Sequence, residues 1–300
     1  MDSGLLQQIF LLFGLILIGF VANKTHVLDE NANAKFSSFL LKIALPATIL
    51  NSAFNNSDID QGVIRSVTVV AVAIFLAMPV VSYLLAKIFK WDRTYQLMLN
   101  YSNLGFMDLP IINSIYGEAK LIYVVIFMMV FNIHIFTVGV ITLQGKPQNF
   151  KEMLKKLCTP GIISAILAFI FMIFPIQIPA LLKNLLSTTG SVTTPLAMIV
   201  IGSQLAQVDL LKSFQNKQMY VMSAIKLLVY PFVVFFAVKT VTGMDMIAEI
   251  SAILMGLPVA GNVTMLCSEY GGKTSLAAEG TCISTMLSIA TIPIMLSLIS

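Results

Sequence analysis

The sequence predicts an all-α integral membrane protein of about ten transmembrane helices, set out as two five-helix halves of opposite orientation with helices four and nine broken. Three observations predict it: scarce charge, long apolar runs, and prolines that repeat across the midpoint of the chain.

Of 300 residues, 58% are hydrophobic and 11% charged. Soluble chains carry about 25% charged and about 45–50% apolar residues. So little charge cannot cover a water-soluble surface, and the excess apolar surface must face lipid. Crossing the hydrocarbon layer takes about 20 mostly apolar residues per helix. Such runs lie near 5–22, 35–54, 63–88, 95–116 and 119–143, and again near 160–176, 181–205, 219–240, 246–268 and 275–299. The first run has Asp2 in place of a basic leader and is long for a signal sequence, so it reads as a retained membrane helix. Cys158, Cys267 and Cys282 show no metal or redox spacing and read as small packing residues. No cofactor or metal is expected.

The net charge of +4 does not point to nucleic acid, because the basic residues sit in short loops between apolar runs. With the N-terminus outside, the inner segments hold Lys24, Lys35, Lys87, Lys90, Arg93, Lys146, Lys151, Lys155, Lys156, Lys212, Lys217 and Lys273, and the outer ones Arg65, Lys120, Lys183 and Lys239. That bias places both termini outside the cytoplasm. Lys42 and Lys226 fall inside runs and are expected to snorkel to the cytoplasmic interface.

The longest polar connection, 144–159, divides a first repeat (1–143) from a second (160–300) and is expected in the cytoplasm. Pro46 matches Pro195 at an offset of 149, Pro110 matches Pro258 at 148, and Pro79 matches Pro231 at 152. A shared spacing suggests duplication. Five spans is an odd number, so the second copy enters the membrane from the other side. Inverted repeats of this kind recur in secondary transporters, with substrate held at the midplane.

The fourth run reads Asn100-Tyr-Ser-Asn-Leu-Gly-Phe-Met-Asp-Leu-Pro-Ile-Ile-Asn113, and the ninth Met255-Gly-Leu-Pro-Val-Ala-Gly-Asn-Val-Thr264. Glycine and proline among polar side chains break a helix in mid-span. Backbone freed there must be buried in protein or line a wet cavity. Pro110 and Pro258 are expected to open the second half-helix of each span. Each half-helix would offer a positive dipole end near the midplane, together an anion site without a buried lysine or arginine. Asn103 and Asn262 would add amide donors, with Asn100 and Asn113 beside them. The alternative is that these asparagines satisfy broken backbone or bond between helices. Asp108 reads either as the carrier of a coupling proton or as a residue near a wet outer vestibule. His134 reads as a proton relay or as a packed, hydrogen-bonded histidine.

These residues resemble the auxin efflux carrier family, which includes bacterial malate and malonate permeases. The likeness rests on Asn103-Leu-Gly-Phe-Met-Asp-Leu-Pro110 with Ile115-Tyr116-Gly117, on Leu257-Pro258, Asn262 and Glu269-Tyr270-Gly271, and on Pro195-Leu-Ala-Met-Ile-Val-Ile-Gly202. The resemblance implies scaffold and transport domains, helices four and nine crossing at the substrate, elevator-like movement and organic-anion cargo. It gives Asn103 the carboxylate-binding role. Asp108 stands where the family commonly has glycine, and Thr159-Pro160 where Asn-Pro is usual.

The function expected is therefore secondary transport of a small mono- or dicarboxylate across the cell membrane. The rivals are a sodium-coupled symporter of the bile-acid type and a channel or sensor on the same scaffold. No H-E-x-x-H, G-x-S-x-G or P-loop is present, so neither an enzyme nor direct drive by ATP is expected. The expected partners are the anion, the lipid bilayer and a coupling proton or Na+; a homodimer is left open.

Overall fold

The structure, a computed structural model, describes residues 3–55, 61–145, 160–173, 178–207 and 215–299. The expected cytoplasmic loop falls almost wholly outside them, together with Cys158, Thr159 and Lys212. The described residues are helical apart from turns and one isolated β-bridge.

In chain order the helices are α1 (Ser3–Lys24), α2 (Glu30–Phe39), α3 (Leu45–Asn55), α4 (Gln61–Phe89), α5 (Arg93–Asn100), α6 (Asp108–Tyr116), α7 (Leu121–His134) and α8 (Val140–Gln144). There follow α9 (Pro160–Ile173), α10 (Ala180–Ser191), α11 (Thr193–Gln207), α12 (Lys217–Ala224), α13 (Tyr230–Thr242), α14 (Asp245–Met255), α15 (Gly261–Tyr270) and α16 (Thr274–Ile299). Wide π turns at Leu40–Ala44, Ile135–Gly139 and Ile225–Val229 join α2 to α3, α7 to α8 and α12 to α13. Among the described residues, five helices are long and apolar enough to cross a membrane: Gln61–Phe89, Leu121–Gln144, Ala180–Gln207, Lys217–Thr242 and Thr274–Ile299. α4 shows what such a helix does with its faces. It buries Val67, Ala71, Phe75 and Met78 at helical spacing and exposes Val69, Leu76, Val80 and Ile88. Apolar exposure on that scale belongs in lipid.

Local chemistry sets the ends. Asp29 and Asp92 cap α2 and α5 by accepting from Ala32 N at 2.7 Å and Thr94 N at 2.8 Å, which satisfies donors that a helix start leaves open. Pro110 and Pro195 each lie in the first turn of a helix, where a missing N–H costs nothing, whereas Pro46 and Pro231 follow π turns that run on into α3 and α13. The π turns before Pro46 and Pro231 close with Leu45 N on Leu40 O and Tyr230 N on Ile225 O. A proline at the next position removes one ladder donor, and the wider turn accommodates the gap.

The chain forms two compact units, each drawn from distant stretches of sequence. The first comprises Met1–Arg65, Gly105–Met129 and Cys158–Gln207. Here α1 and α11 approach backbone to backbone: a Cβ on Gly19 would fall on the Ile199 carbonyl, and one on Gly202 on that of Ile16. Small residues permit such an approach where lipid supplies no hydrophobic drive between helices. Polar bonds tie α1, α2, α3, α10 and α11 together. Asn33 Nδ2 and Asn23 Nδ2 donate to Ser203 Oγ at 2.8 and 3.2 Å, and Thr48 Oγ1 bonds Gly190 O at 3.1 Å and Thr193 Oγ1 at 2.9 Å.

The second unit comprises Ser66–Leu104, Val130–Leu157 and Val208–Ser300. Lys273 bonds Asp92 at 2.6 Å and its amide donates to Thr94 Oγ1 at 3.1 Å, so the turns before α5 and α16 share one end of this unit. The expected topology likewise gives those two turns one side. Hydrogen bonding to Asp92 raises the Lys273 ammonium above the ordinary lysine value.

Candidate functional site

The second unit contains both a broken end and its partner. α5 stops at Asn100 and α14 at Met255, each giving way to a short non-helical stretch. The stretches Tyr101–Asn103 and Pro258–Ala260 pair antiparallel, with Ser102 opposite Val259. Asn103 N donates to Pro258 O at 2.8 Å, and Ala260 N to Tyr101 O at 3.0 Å. Pro258 has no N–H to lose here and serves the pairing through its carbonyl alone. Val259 N, facing the other way, is taken by Ser284 Oγ of α16 at 3.0 Å. Main chain that would be orphaned at membrane depth is thus largely met inside the protein.

Pro258 was expected to open the second half-helix and does not. α15 begins three residues later at Gly261, because Val259 is committed to the pairing and Ala260 is still extended at φ −65°, ψ 136°. Asn262 therefore occupies the first turn of α15, a helix start with no side-chain cap. Asn103, almost buried, makes no side-chain hydrogen bond among the described residues. Asn100 closes α5 with its Oδ1 buried and unbonded. The pairing thus employs the backbone of these stretches and leaves their amides available.

The first break ends in the other unit. Gly105, at φ +106°, turns the chain in a conformation suited to glycine. Its N–H donates to Asp108 Oδ1 at 2.8 Å. Asp108 is the first residue of α6 and is fully buried, so a carboxylate of the chain itself stands on the positive end of α6. Pro110 is buried in the first turn, as expected; Asn113 lies further along and is exposed.

His134 is buried, with Nδ1 3.0 Å from Tyr101 Oη, and packs against the Phe75 ring with centroids 5.4 Å apart. It is thus a packed, hydrogen-bonded side chain beside the unwound segment. Tyr101 reaches it past Gly139, where a Cβ would stand 2.9 Å from the hydroxyl oxygen.

Lys226 corrects an expectation. It was to snorkel, and Lys42 is indeed exposed, but Lys226 is fully buried. Its Nζ donates to Leu99 O and Ser102 Oγ, both at 2.8 Å. Oxygen acceptors at the negative end of α5 offset the desolvation that would otherwise drive a lysine to the interface. An ionisable residue inside an apolar run, one turn before a proline, was the signal in the sequence; the π turn that carries it left none.

Comparison with known proteins bears on the whole chain. A family model described as membrane transport protein matches residues 5–296. The lysosomal cholesterol signaling protein of Mus musculus is 22% identical over 305 residues, covering 92% of this chain and 35% of that protein. The chain thus spans about a third of that relative's length. Two unwound stretches paired within a helical, lipid-facing protein accord with the match, and the chain belongs to the membrane transport protein family, that of the auxin efflux carriers.

Proposed function

We propose that the chain is a secondary transporter that carries a small organic anion, a mono- or dicarboxylate, across the cell membrane by elevator-type alternating access. The observation that carries this reading is the pairing of the two unwound stretches, which leaves the Asn103 amide unbonded and the start of α15 uncapped. Uncapped helix starts offer N–H groups and a positive dipole end to an anion. Asn103 and Asn262 are the residues that orient the carboxylate, with Asn100 behind them. Asp108 is the carrier of a coupling proton, a fully buried carboxyl whose Oδ2 has no hydrogen-bond partner among the described residues. Pro110 shapes that end, and Asn113 and His134 take secondary parts.

In this reading α5 with α6 and α14 with α15 are each one broken span. The chain then has ten spans in two halves, 1–143 and 160–300, of opposite orientation. The basic residues counted above set both termini outside the cytoplasm.

Counterflow in proteoliposomes tests the proposal. Vesicles loaded with one unlabelled acid at a time (malate, malonate, succinate, indole acetate) receive labelled tracer outside, with and without sodium. Transient, saturable accumulation with one acid is expected, independent of sodium, and lost in Asn103→Ala with folded protein retained. Normal uptake by that variant refutes the asparagine assignment. Sodium-dependent uptake would favour the bile-acid type of symporter.

A second reading, a sterol-responsive sensor, is favoured by one observation besides the relative's name. An apolar cavity of about 420 Å³ lies between α4 and α13, lined by residues such as Ile74, Met78, Val81, Val234 and Val238. Absence of counterflow with every acid, joined to sterol-dependent stabilisation, would select it.

A further inference from the structure

The C-terminal ends of α5 and α14 meet inside the second unit, and each brings unpaired carbonyls and about half a negative charge. Lys226 answers both. Its Nζ donates to Leu99 O, in the last turn of α5. It also donates to Ser102 Oγ, and that hydroxyl donates to Met255 O, the last residue of α14, at 3.2 Å. The Tyr230 ring lies 5.9 Å from the ammonium. One charge therefore serves two helix ends, the first directly and the second through a hydroxyl. Lys226, Ser102 and Met255 are all fully buried.

The two groups that hold the ammonium are both oxygen, the Leu99 carbonyl and the Ser102 hydroxyl, and the Oδ1 of Asn100, on the last residue of the same helix, is buried and unbonded. Hard cations take such sets, and unwound carbonyls with half-helix C-termini hold sodium in broken-helix transporters. We propose that Lys226 is a built-in counter-cation, its ammonium standing where a small alkali cation would otherwise neutralise the two helix ends. The pairing of the unwound stretches then needs no ion from solution, and a carrier built this way takes no sodium as cargo. Removing the ammonium while leaving room converts the same oxygens into an alkali-cation site. Removing it while keeping its bulk does not.

The consequence for coupling rests on the transporter reading, but the test reads cation binding to the folded full-length chain. Wild type, Lys226→Ala and Lys226→Met are extracted side by side in sodium chloride and in N-methylglucamine chloride at matched ionic strength. Each is then melted by tryptophan fluorescence as sodium replaces N-methylglucamine. Wild type and Lys226→Met are expected to melt identically in the two salts. Lys226→Ala is expected to gain saturably with sodium, by roughly 3–5 °C at ten times the half-saturating concentration, or to be recovered folded only in sodium. A sodium-specific rise in wild type overturns the proposal. So does Lys226→Ala that melts alike in both salts or is recovered folded in neither. Failure of the anion-carrier reading would show separately, as wild type lacking counterflow while these melting results stand.

Discussion

Ser102→Ala isolates the hydroxyl that links Lys226 to α14. Alanine keeps the main-chain pairing with Val259, so the loss belongs to the side chain alone. The hydroxyl is fully buried, accepts from the Lys226 ammonium at 2.8 Å and donates to Met255 O at 3.2 Å. A hydrogen bond to a charged group contributes about 1.5–3 kcal/mol and a neutral one about 0.5–1.5 kcal/mol. The space vacated by one oxygen is too small for a water to enter without displacement. A destabilisation of about 2–4 kcal/mol is therefore expected, read from reversible unfolding in detergent. A cycle with Lys226→Met sharpens the test. Were the two side chains to act through one bond, the double variant would fall short of the summed losses by about 1.5–3 kcal/mol. Additivity within about 0.5 kcal/mol refutes the reasoning.

Three further outcomes are expected. Gly202→Val drives a branched side chain into the Ile16 backbone; overpacking costs about 1–3 kcal/mol even where side chains give way, and here backbone faces backbone, so size-exclusion profiles should show loss of the folded species. Ser284→Ala strands the buried Val259 N–H at a cost of about 1–3 kcal/mol, whereas Ser284→Thr, which keeps the hydroxyl, should melt closer to wild type. Because the Lys273 ammonium is raised by its bond to Asp92, its contribution is complete below the ordinary lysine value and fades as pH rises through the raised one. Melts at neutral and mildly acidic pH should therefore show no loss from that pair; being solvent-exposed, it should yield to salt, and Lys273→Ala should melt with wild type in high salt.

Lipid makes some of this fold easy to read from sequence. A bilayer demands long apolar runs and continuous helix, so α4 and α16 announce themselves by composition. The breaks were equally visible, since glycine and proline amid asparagine in mid-run have few other meanings. What replaced the helix was not visible. The pairing of Ser102 with Val259 joins residues far apart in sequence, and its bonds are made by main chain, which carries no residue signature. Pro258 was misplaced for that reason: proline usually opens a helix, as Pro110 does, but here its carbonyl was claimed by Asn103 N. Lys226 was misread because a long side chain near a helix end usually reaches water. The partners that hold it inside belong to α5, which no local pattern around Lys226 reveals. The close approach at Gly19 and Gly202 was within reach of pattern but not of inference, as glycine in an apolar run signals a kink as readily as a contact.

The main-chain pairing also bears on how such a protein diversifies. Asn103 N to Pro258 O and Ala260 N to Tyr101 O are bonds that almost any residue would make equally well. On the proposed reading, the frame and the reading head are written in different alphabets: one in peptide groups, which mutation cannot alter short of a new proline, the other in the side chains at 103 and 262. Selection can redraw the second without dismantling the first. Were those side chains to hold the cargo as proposed, a lineage with this frame could trade one cargo for another by single substitutions, and an engineer could do the same.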